Sequence, residues 1–149
     1  MRHYVAMTAL TAAKFPQLIP PGSSQIQVEL AQMPIRELSQ VRLGRTFVFG
    51  LLEDNSSWCL IRLSSIRSIN FLQNQSLVES QVHWTTKTAG ELLTNLQLPA
   101  CAIVQFREKP GLTQQLVFLG LAKGLVATDS YQQPYIPLAA ISYLELQAR

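Results

Sequence analysis

Four arginines and two tyrosines of this chain are of the types that contact nucleic acids. A guanidinium group makes forked hydrogen bonds to phosphate, and a tyrosine ring stacks on unpaired bases. The arginines occur in two pairs, one pair on either side of Gly44 and the other on either side of two serines, where turns are expected. Arginines on turns at one end of a small β domain would contact phosphates. The candidate nucleic-acid or anion-binding residues are Arg42, Arg45, Arg62, Arg67, Tyr131 and Tyr135.

An ordinary solvated surface is the alternative interpretation of these arginines. All four lie between residues 25 and 75, and the same stretch contains four acidic side chains that offset them, namely Glu29, Glu37, Glu53 and Asp54.

No pattern in the chain is typical of a catalytic or metal site. The two cysteines, Cys59 and Cys101, belong to no Cys-x-x-Cys or Cys/His cluster, and the histidines are His3 and His83 alone. Glycines occur singly and form no phosphate-binding loop. We therefore predict no catalytic residue, no metal and no cofactor, and a protein that is not an enzyme. Each cysteine lies among apolar residues and is predicted to be in the core, with a disulfide as the alternative.

The composition of the chain favours protein partners. Charged residues make up 14% of the 149 residues, the net charge is +3 and hydrophobic residues make up 48%, whereas about 25% of residues are charged in typical domains. So few charges predict apolar surface buried between parts of the chain or between chains. No apolar run approaches the ~18 residues of a membrane helix, and residues 1–13 are too weakly apolar for a signal peptide. We therefore expect a cytoplasmic protein with no membrane partner.

One stretch of the sequence occurs twice, 75 residues apart. The segment LIRLSSIRSINF at residues 60–71 is matched by YIPLAAISYLEL at residues 135–146, with the apolar positions in register. A sequence repeat at fixed spacing indicates a duplicated structural unit. The alternative is a chance similarity between two amphipathic hairpins. Because the shared positions are apolar, the repeat predicts a duplicated core. Arg62 and Arg67 face Pro137 and Ser142 in this alignment, which makes the first copy the predicted binding half.

Each copy has the residue patterns of five short strands. Phe47, Phe49 and Trp58 fall in such patterns and are predicted core residues, with an apolar patch that binds a protein partner as the alternative. The spacing of Thr88 and Glu91 is that of a capping box and predicts a helix of about ten residues, and residues 7–15 have weak helical character. Five strands in so few residues predict a small, strongly bent barrel. The predicted strands are 26–30, 35–41, 46–52, 58–63 and 66–71 in the first copy, and 101–106, 115–121, 125–128, 135–138 and 141–146 in the second.

The plan of a helix followed by five strands resembles the Sm-like small barrel, a relative of the SH3-type barrels. The segments IRLSSIRSI at 61–69 and IPLAAISYL at 136–144 resemble the second Sm motif, in which a strand runs through a tight turn into another strand. The pattern Val/Ile-Pro-Leu-Ala-Ala-Ile at the end of a paired barrel, present at residues 136–141, is also similar to a group of small, uncharacterised actinobacterial proteins. The resemblance covers residues 25–72 and 88–146.

The resemblance to the Sm-like class implies RNA binding and ring formation. The residues of the Sm nucleotide pocket do not follow the class pattern, however. Asp54 and Asn55, the acid and asparagine pair, lie one strand too late in the first copy, and the second copy has no equivalent. Leu63 and Leu138 stand where a basic residue is expected. We therefore expect this chain to have the Sm-like fold but not the Sm nucleotide pocket.

The sequence thus predicts a mainly β chain of two tandem five-stranded Sm/SH3-like small barrels, each preceded by a short helix. The predicted parts are an N-terminal segment and linker at 1–24, a first barrel at 25–75, a linker at 76–87, and a helix with the second barrel at 88–149. The predicted function is a non-enzymatic interaction or assembly module that binds another protein or itself as a homo-oligomer. The alternative is a protein that binds RNA or another nucleic acid through the arginines of the first barrel.

Overall fold

The computed structural model describes residues 2–6, 23–31, 33–53, 57–73 and 82–147. The chain is mainly β, as predicted, with twelve strands, one short helix and two 3₁₀ turns in these residues. The helix is α1 (Ala89–Thr94), and the 3₁₀ turns are Leu63–Ser65 and Leu138–Ala140. The strands are β1 (Arg2–Ala6), β2 (Ser23–Leu30), β3 (Arg36–Leu43), β4 (Phe47–Leu52), β5 (Ser57–Arg62), β6 (Ile66–Gln73), β7 (His83–Trp84), β8 (Ala100–Phe106), β9 (Thr113–Ala122), β10 (Leu125–Thr128), β11 (Tyr135–Pro137) and β12 (Ile141–Gln147).

All ten predicted strands are present, and the structure adds two that the sequence did not predict, β1 and β7. The helix after Thr88 is confirmed together with its capping box, in which the Glu91 N–H donates to Thr88 Oγ1 over 3.1 Å. It is shorter than predicted because the Asn95 N–H already closes it on the carbonyl groups of Leu92 and Leu93. The weak helix predicted at residues 7–15 lies outside the described residues.

The strands form one antiparallel sheet in which the same strand order occurs twice. The path runs β1-β6-β2-β3-β4-β5-β12-β8-β9-β10-β11, and β7 adds a parallel pairing to β3. We call β2 to β6 the first unit and β8 to β12 the second unit. In each unit the fifth strand pairs with the first, and the first to fourth strands follow in order. The path does not close within the described strands, and it passes from one unit to the other where β5 pairs with β12.

Two hydrophobic cores lie on opposite sides of β4 and β5. Cys59 and Ile61 of β5 point into the first core, and Leu60 between them points into the second. Every residue of β4 is buried, which accounts for its unbroken apolar run. Both faces of these strands are covered, so β4 and β5 contribute side chains to both cores.

The predicted core positions Phe47 and Phe49 are confirmed, since both are buried in the second core. Trp58 is half-buried at the edge of the same core and stacks on Phe49, with the ring centres 5.2 Å apart. The aromatic side chains of the first unit therefore help to hold the second unit.

The prediction that both cysteines are core residues is correct for Cys59 and wrong for Cys101. Cys59 is fully buried, whereas Cys101 is exposed, and neither forms a disulfide. On β8 the side chains of Ala100, Ala102 and Val104 point into the second core. Because successive side chains of a strand alternate between its faces, Cys101 points the other way.

No helix among the described residues is long and apolar enough to cross a membrane.

Candidate interaction site

The junction between the two units is an antiparallel pairing of two strand edges. Residues 57–61 of β5 pair one to one with residues 143–147 of β12, with Cys59 opposite Glu145 at the centre and Leu60 opposite Leu144 beside it. The pairing joins the fourth strand of the first unit to the fifth strand of the second. We call this pairing the junction. It shows that one unit is recognised by the next through backbone hydrogen bonds along an edge.

Arg62 fastens the junction at the end of β5. Its Nε donates to the carbonyl of Ile141 over 2.8 Å, and its Nη2 donates to the carbonyl of Leu138 over 2.9 Å. Both acceptors belong to the 3₁₀ turn of the second unit or the residue that follows it. The aligned residue of the second unit, Pro137, lies on β11, which has no further unit beside it among the described strands. The difference between Arg62 and Pro137 therefore has a structural explanation.

Arg107 binds the same turn from the end of β8. Its backbone N–H donates to the carbonyl of Ala140 over 2.9 Å, and its Nη1 donates to the carbonyl of Ala139 over 3.4 Å. Burial, together with the charge of Arg107, lowers the pKa of the Arg62 guanidinium. Two arginines from different units thus satisfy four consecutive carbonyl groups.

A cluster of polar side chains holds the middle of the junction, where Glu145 lies opposite Cys59. Arg36 of β3 lies 3.1 Å from Glu145 Oε1 and 3.7 Å from Glu53 Oε1. The Tyr143 hydroxyl donates to the same Glu145 carboxylate. Glu145 and Tyr143 come from the second unit, and their partner Arg36 comes from the first. Glu145 has little exposure and Glu53 is half-exposed, with side-chain accessibilities of 11% and 48%.

Burial changes the ionisation of the groups around this cluster. It raises the pKa of the Cys59 thiol and of the Tyr143 hydroxyl well above their ordinary values. Burial alone would lower the pKa of Arg36, but Tyr143, Glu145 and Glu53 outweigh it and raise that pKa. The cysteine thiol and tyrosine hydroxyl therefore stay protonated and the arginine stays charged, which suits a structural cluster better than acid or base catalysis.

Removing the Tyr143 hydroxyl should reduce the loss of stability at alkaline pH. Because the pKa of Tyr143 is raised above its ordinary 10.0, the unfolded chain loses this proton first, and stability falls as the pH rises above that value. One such group gives a slope of about 1.4 kcal/mol per pH unit. Urea unfolding of Tyr143→Phe between about pH 10 and pH 11 should show a slope smaller by more than half of this amount. Equal slopes in the two proteins would contradict the assignment.

The outer edge of β6, in the first unit, is occupied by β1. Residues 2–6 pair antiparallel with residues 68–72, and Val5 lies opposite Ile69. β6 is the fifth strand of its unit, so this edge is the equivalent of the β12 edge that receives β5 at the junction. The same edge is therefore covered in both units, once by another unit and once by a separate segment.

The outer edge of β11, in the second unit, is the counterpart of the β5 edge and has no partner among the described strands. The Thr128 N–H donates to the carbonyl of Pro134 across β10 and β11. Backbone N–H and C=O groups alternate in direction along a strand. Those of the odd-numbered residues of β11, including Tyr135 and Pro137, therefore point away from β10, toward the open edge. Proline has no N–H to donate, and proline on an edge strand hinders further pairing. The β11 edge is thus poorly suited to receive another strand.

The six predicted binding residues do not form one surface. Arg62 is bound within the junction, and Arg42 is half-buried with its Nη1 donating to the Val41 carbonyl over 3.2 Å. Arg45 is exposed and lines a cleft of about 500 Å³ with Trp84 and Lys87. The remaining predicted residues, Arg67, Tyr131 and Tyr135, are exposed, the first on the first unit and the two tyrosines on the second.

Arg67 is the predicted residue whose surroundings best fit an anion. It lines a cleft of about 570 Å³ together with Arg107, Ser64, Ser65 and Ser142, and none of the described residues that line this cleft is a carboxylate. The sequence did not indicate Arg107, since its position in a turn after β8 gave no sign that it would meet the first unit. The arrangement offers two guanidinium groups from different units to one ligand.

Groups for metal binding or catalysis are not brought together in the part of the chain that the structure describes. No cluster of three or more histidine, cysteine or acidic side chains occurs there. Cys101 lines a cleft of about 480 Å³ with Asp129 and Glu145, where Asp129 accepts from the Val117 N–H and Glu145 is paired with Arg36.

Comparisons with family models, with curated proteins and with solved structures gave no match for this chain.

Proposed function

We propose that this chain is a non-enzymatic interaction and assembly module built from two Sm/SH3-like small barrels. The repeated strand order and the 3₁₀ turn between the fourth and fifth strand of each unit support the barrel assignment. A small barrel that is joined to others by its edge strands serves as a building block for assemblies. The partner in this proposal is another protein or a second copy of the chain, and both thiols being free agrees with a cytoplasmic location.

The junction is the observation that carries this proposal. The units recognise each other by five residue pairs between β5 and β12, by Arg62 at one end of this pairing, and by the ion pair of Arg36 with Glu145 at its middle. Addition of a strand to a sheet edge is a general mode of protein recognition, in which backbone hydrogen bonds give the affinity and side-chain pockets give the specificity. A chain that already uses this mode between its own units has the surfaces for using it with others.

The molar mass of the purified protein in solution tests the proposal. Light scattering over a range of concentrations should give a mass above the 16.6 kDa of one chain, or a complex of defined stoichiometry with a polypeptide that copurifies. A ratio of absorbance at 260 and 280 nm typical of protein should accompany it. A strictly monomeric chain without a bound polypeptide would contradict the proposal.

Binding of RNA or another anionic ligand is the second candidate function. It is favoured by the cleft that Arg67 and Arg107 line from different units, where no described carboxylate is among the lining residues. Phosphate contacts of this kind weaken steeply as the salt concentration rises. Arg62 is unsuitable for testing this function, because replacing it would also weaken the junction.

Charge reversal at Arg67 separates this second function from the first. If RNA binds in the cleft, Arg67→Glu should weaken the retention of a mixed-sequence single-stranded RNA at low salt by about tenfold and reduce its salt dependence. Lys123→Glu, an equal change of charge on the exposed turn between β9 and β10, should have a smaller effect. Equal effects of the two variants, or no retention by the unmodified protein, would exclude the cleft as an RNA site.

A further inference from the structure

We infer that the outer edge of β6 is an acceptor site for an extended strand of another polypeptide, and that β1 is the chain's own occupant of this site. The inference rests on the proposed function and names the place and the kind of partner. It follows from the pairing registers, from the direction of the backbone groups, and from the position of β1 at the end of the sheet.

The pairing of β1 with β6 repeats the pairing of β5 with β12 position by position. The 75-residue repeat aligns residues 68–72 of β6 with residues 143–147 of β12. Residues 2–6 pair with the first set and residues 57–61 with the second, so each residue of β1 takes the place of the residue 55 positions later. Val5 corresponds to Leu60, and all five pairs agree.

The sequence repeat does not explain why β1 and β5 pair in the same register. β1 lies outside both units, and its sequence, RHYVA, shares no residue with SWCLI at the matching positions of β5. A shift of one residue would turn every side chain to the opposite face of the sheet, so a register is strongly specified where one face is buried. Ile69 and Phe71 of β6 are both fully buried. The β6 edge therefore imposes the register on whichever strand it receives.

The backbone groups that this edge offers can be assigned from the junction. The Leu63 N–H donates to the carbonyl of Thr46, which extends the pairing of β5 with β4. Because the groups alternate along a strand, odd-numbered residues of β5 face β4 and even-numbered ones, including Leu60, face β12. By the same register, the N–H of Val5 faces β6, and the N–H of Tyr4 faces away from it.

β1 can leave the sheet without breaking a pairing between any two other described strands. It is the end of the strand path and pairs with β6 alone among the described strands. The opposite end of the path, β11, carries Pro137 on its outward side, so β11 of a second copy is a poor donor for the β6 edge. The expected partner is therefore a separate extended segment that pairs as β5 does.

A peptide with the sequence of β5 tests the inference. A fluorescent peptide of residues 57–62, with serine in place of Cys59, is titrated with the full chain carrying Val5→Pro, and binding is followed by anisotropy. Proline at position 5 removes the N–H that faces β6 and frees the edge. We expect this variant to bind the peptide at least about tenfold more tightly than the unmodified chain, because an occupied edge lowers the apparent affinity.

Two matched controls accompany this titration. Tyr4→Pro places proline where the N–H faces away from β6, so this variant should bind the peptide as weakly as the unmodified chain. The peptide with proline in place of Leu60 should bind neither variant. Equal binding of both peptides, equal binding by both variants, or a defined dimer of Val5→Pro without peptide would overturn the inference.

A second measurement applies if Val5→Pro does not fold. An excess of the peptide added to the unmodified chain should speed amide exchange in β1, and unchanged exchange would overturn the inference. Either failure would leave the mass measurement for the proposed function unaffected, since assembly through another surface would still raise the mass.

Discussion

Replacing Glu145 by alanine is expected to lower the free energy of unfolding by about 3 kcal/mol, measured by urea denaturation. Glu145 accepts from both Arg36 and Tyr143 and is almost fully shielded from water. Removing one partner of a shielded ion pair leaves the other charge uncompensated, and such losses are typically several kcal/mol. Arg36 would keep Glu53, at the longer distance of 3.7 Å, and the Tyr143 hydroxyl would lose its acceptor.

Glu53→Ala is the matched control for this loss. Glu53 pairs with the same arginine but is half-exposed, and exposed ion pairs contribute at most about 1 kcal/mol. The combination of Glu145→Ala with Arg36→Met should recover part of the loss, because the unpaired charge is then gone. Equal effects of Glu145→Ala and Glu53→Ala would contradict the view that this cluster holds the junction.

Replacing Arg62 by alanine is expected to destabilise the chain by about 2 kcal/mol. The substitution removes two hydrogen bonds from a charged donor across the junction and leaves the carbonyls of Leu138 and Ile141 without it. Hydrogen bonds to charged groups contribute about 1.5–3 kcal/mol, and unsatisfied carbonyls add to the cost. Urea unfolding monitored by tryptophan fluorescence measures the change.

Arg67→Ala is the control for this second substitution, because Arg67 is the same residue type and is exposed. Its effect on the free energy of unfolding should stay within about 0.5 kcal/mol. Arg62→Lys keeps the charge without the forked geometry and should be nearly as unstable as Arg62→Ala. If Arg62→Ala and Arg67→Ala are alike, then Arg62 does not fasten the junction.

The local patterns of the sequence were sufficient to predict the strands of both units. Alternation of apolar and polar residues from Ile26 to Leu30, and the β-branched and aromatic run around Phe47, depend only on neighbours in the chain. The capping box at Thr88 is equally local, and it was confirmed. The unbroken apolar run of β4 also carried a signal, since a strand without polar positions must be covered on both faces.

The features that depend on distant partners were not predicted. β1 is five residues long and has a pattern that only its pairing with β6, more than sixty residues away, turns into a strand. Cys101 was assigned to the core from its apolar neighbours, although the alternation along β8 places it on the other face. The junction itself has no local sequence signature.

The candidate site shows the same limit. The sequence singled out Arg62 because Pro137 replaces it in the second copy, and that difference reflects which unit has a neighbour. Arg36 and Glu145 lie more than one hundred residues apart in the chain, so nothing in the sequence linked them. Differences between repeats therefore mark the places where symmetry is broken, and at Arg62 the cause is packing between units.

Amide hydrogen exchange at Ile69 and Phe71 measures most directly whether the outer edge of β6 is a strand-acceptor site. Both amides are expected to be protected in the unmodified chain, where β1 covers them, and to exchange much faster in Val5→Pro. Adding the β5 peptide to Val5→Pro should restore their protection, and the peptide with proline in place of Leu60 should not. Protection that is the same with and without β1 pairing, or that the β5 peptide fails to restore, would contradict the acceptor site.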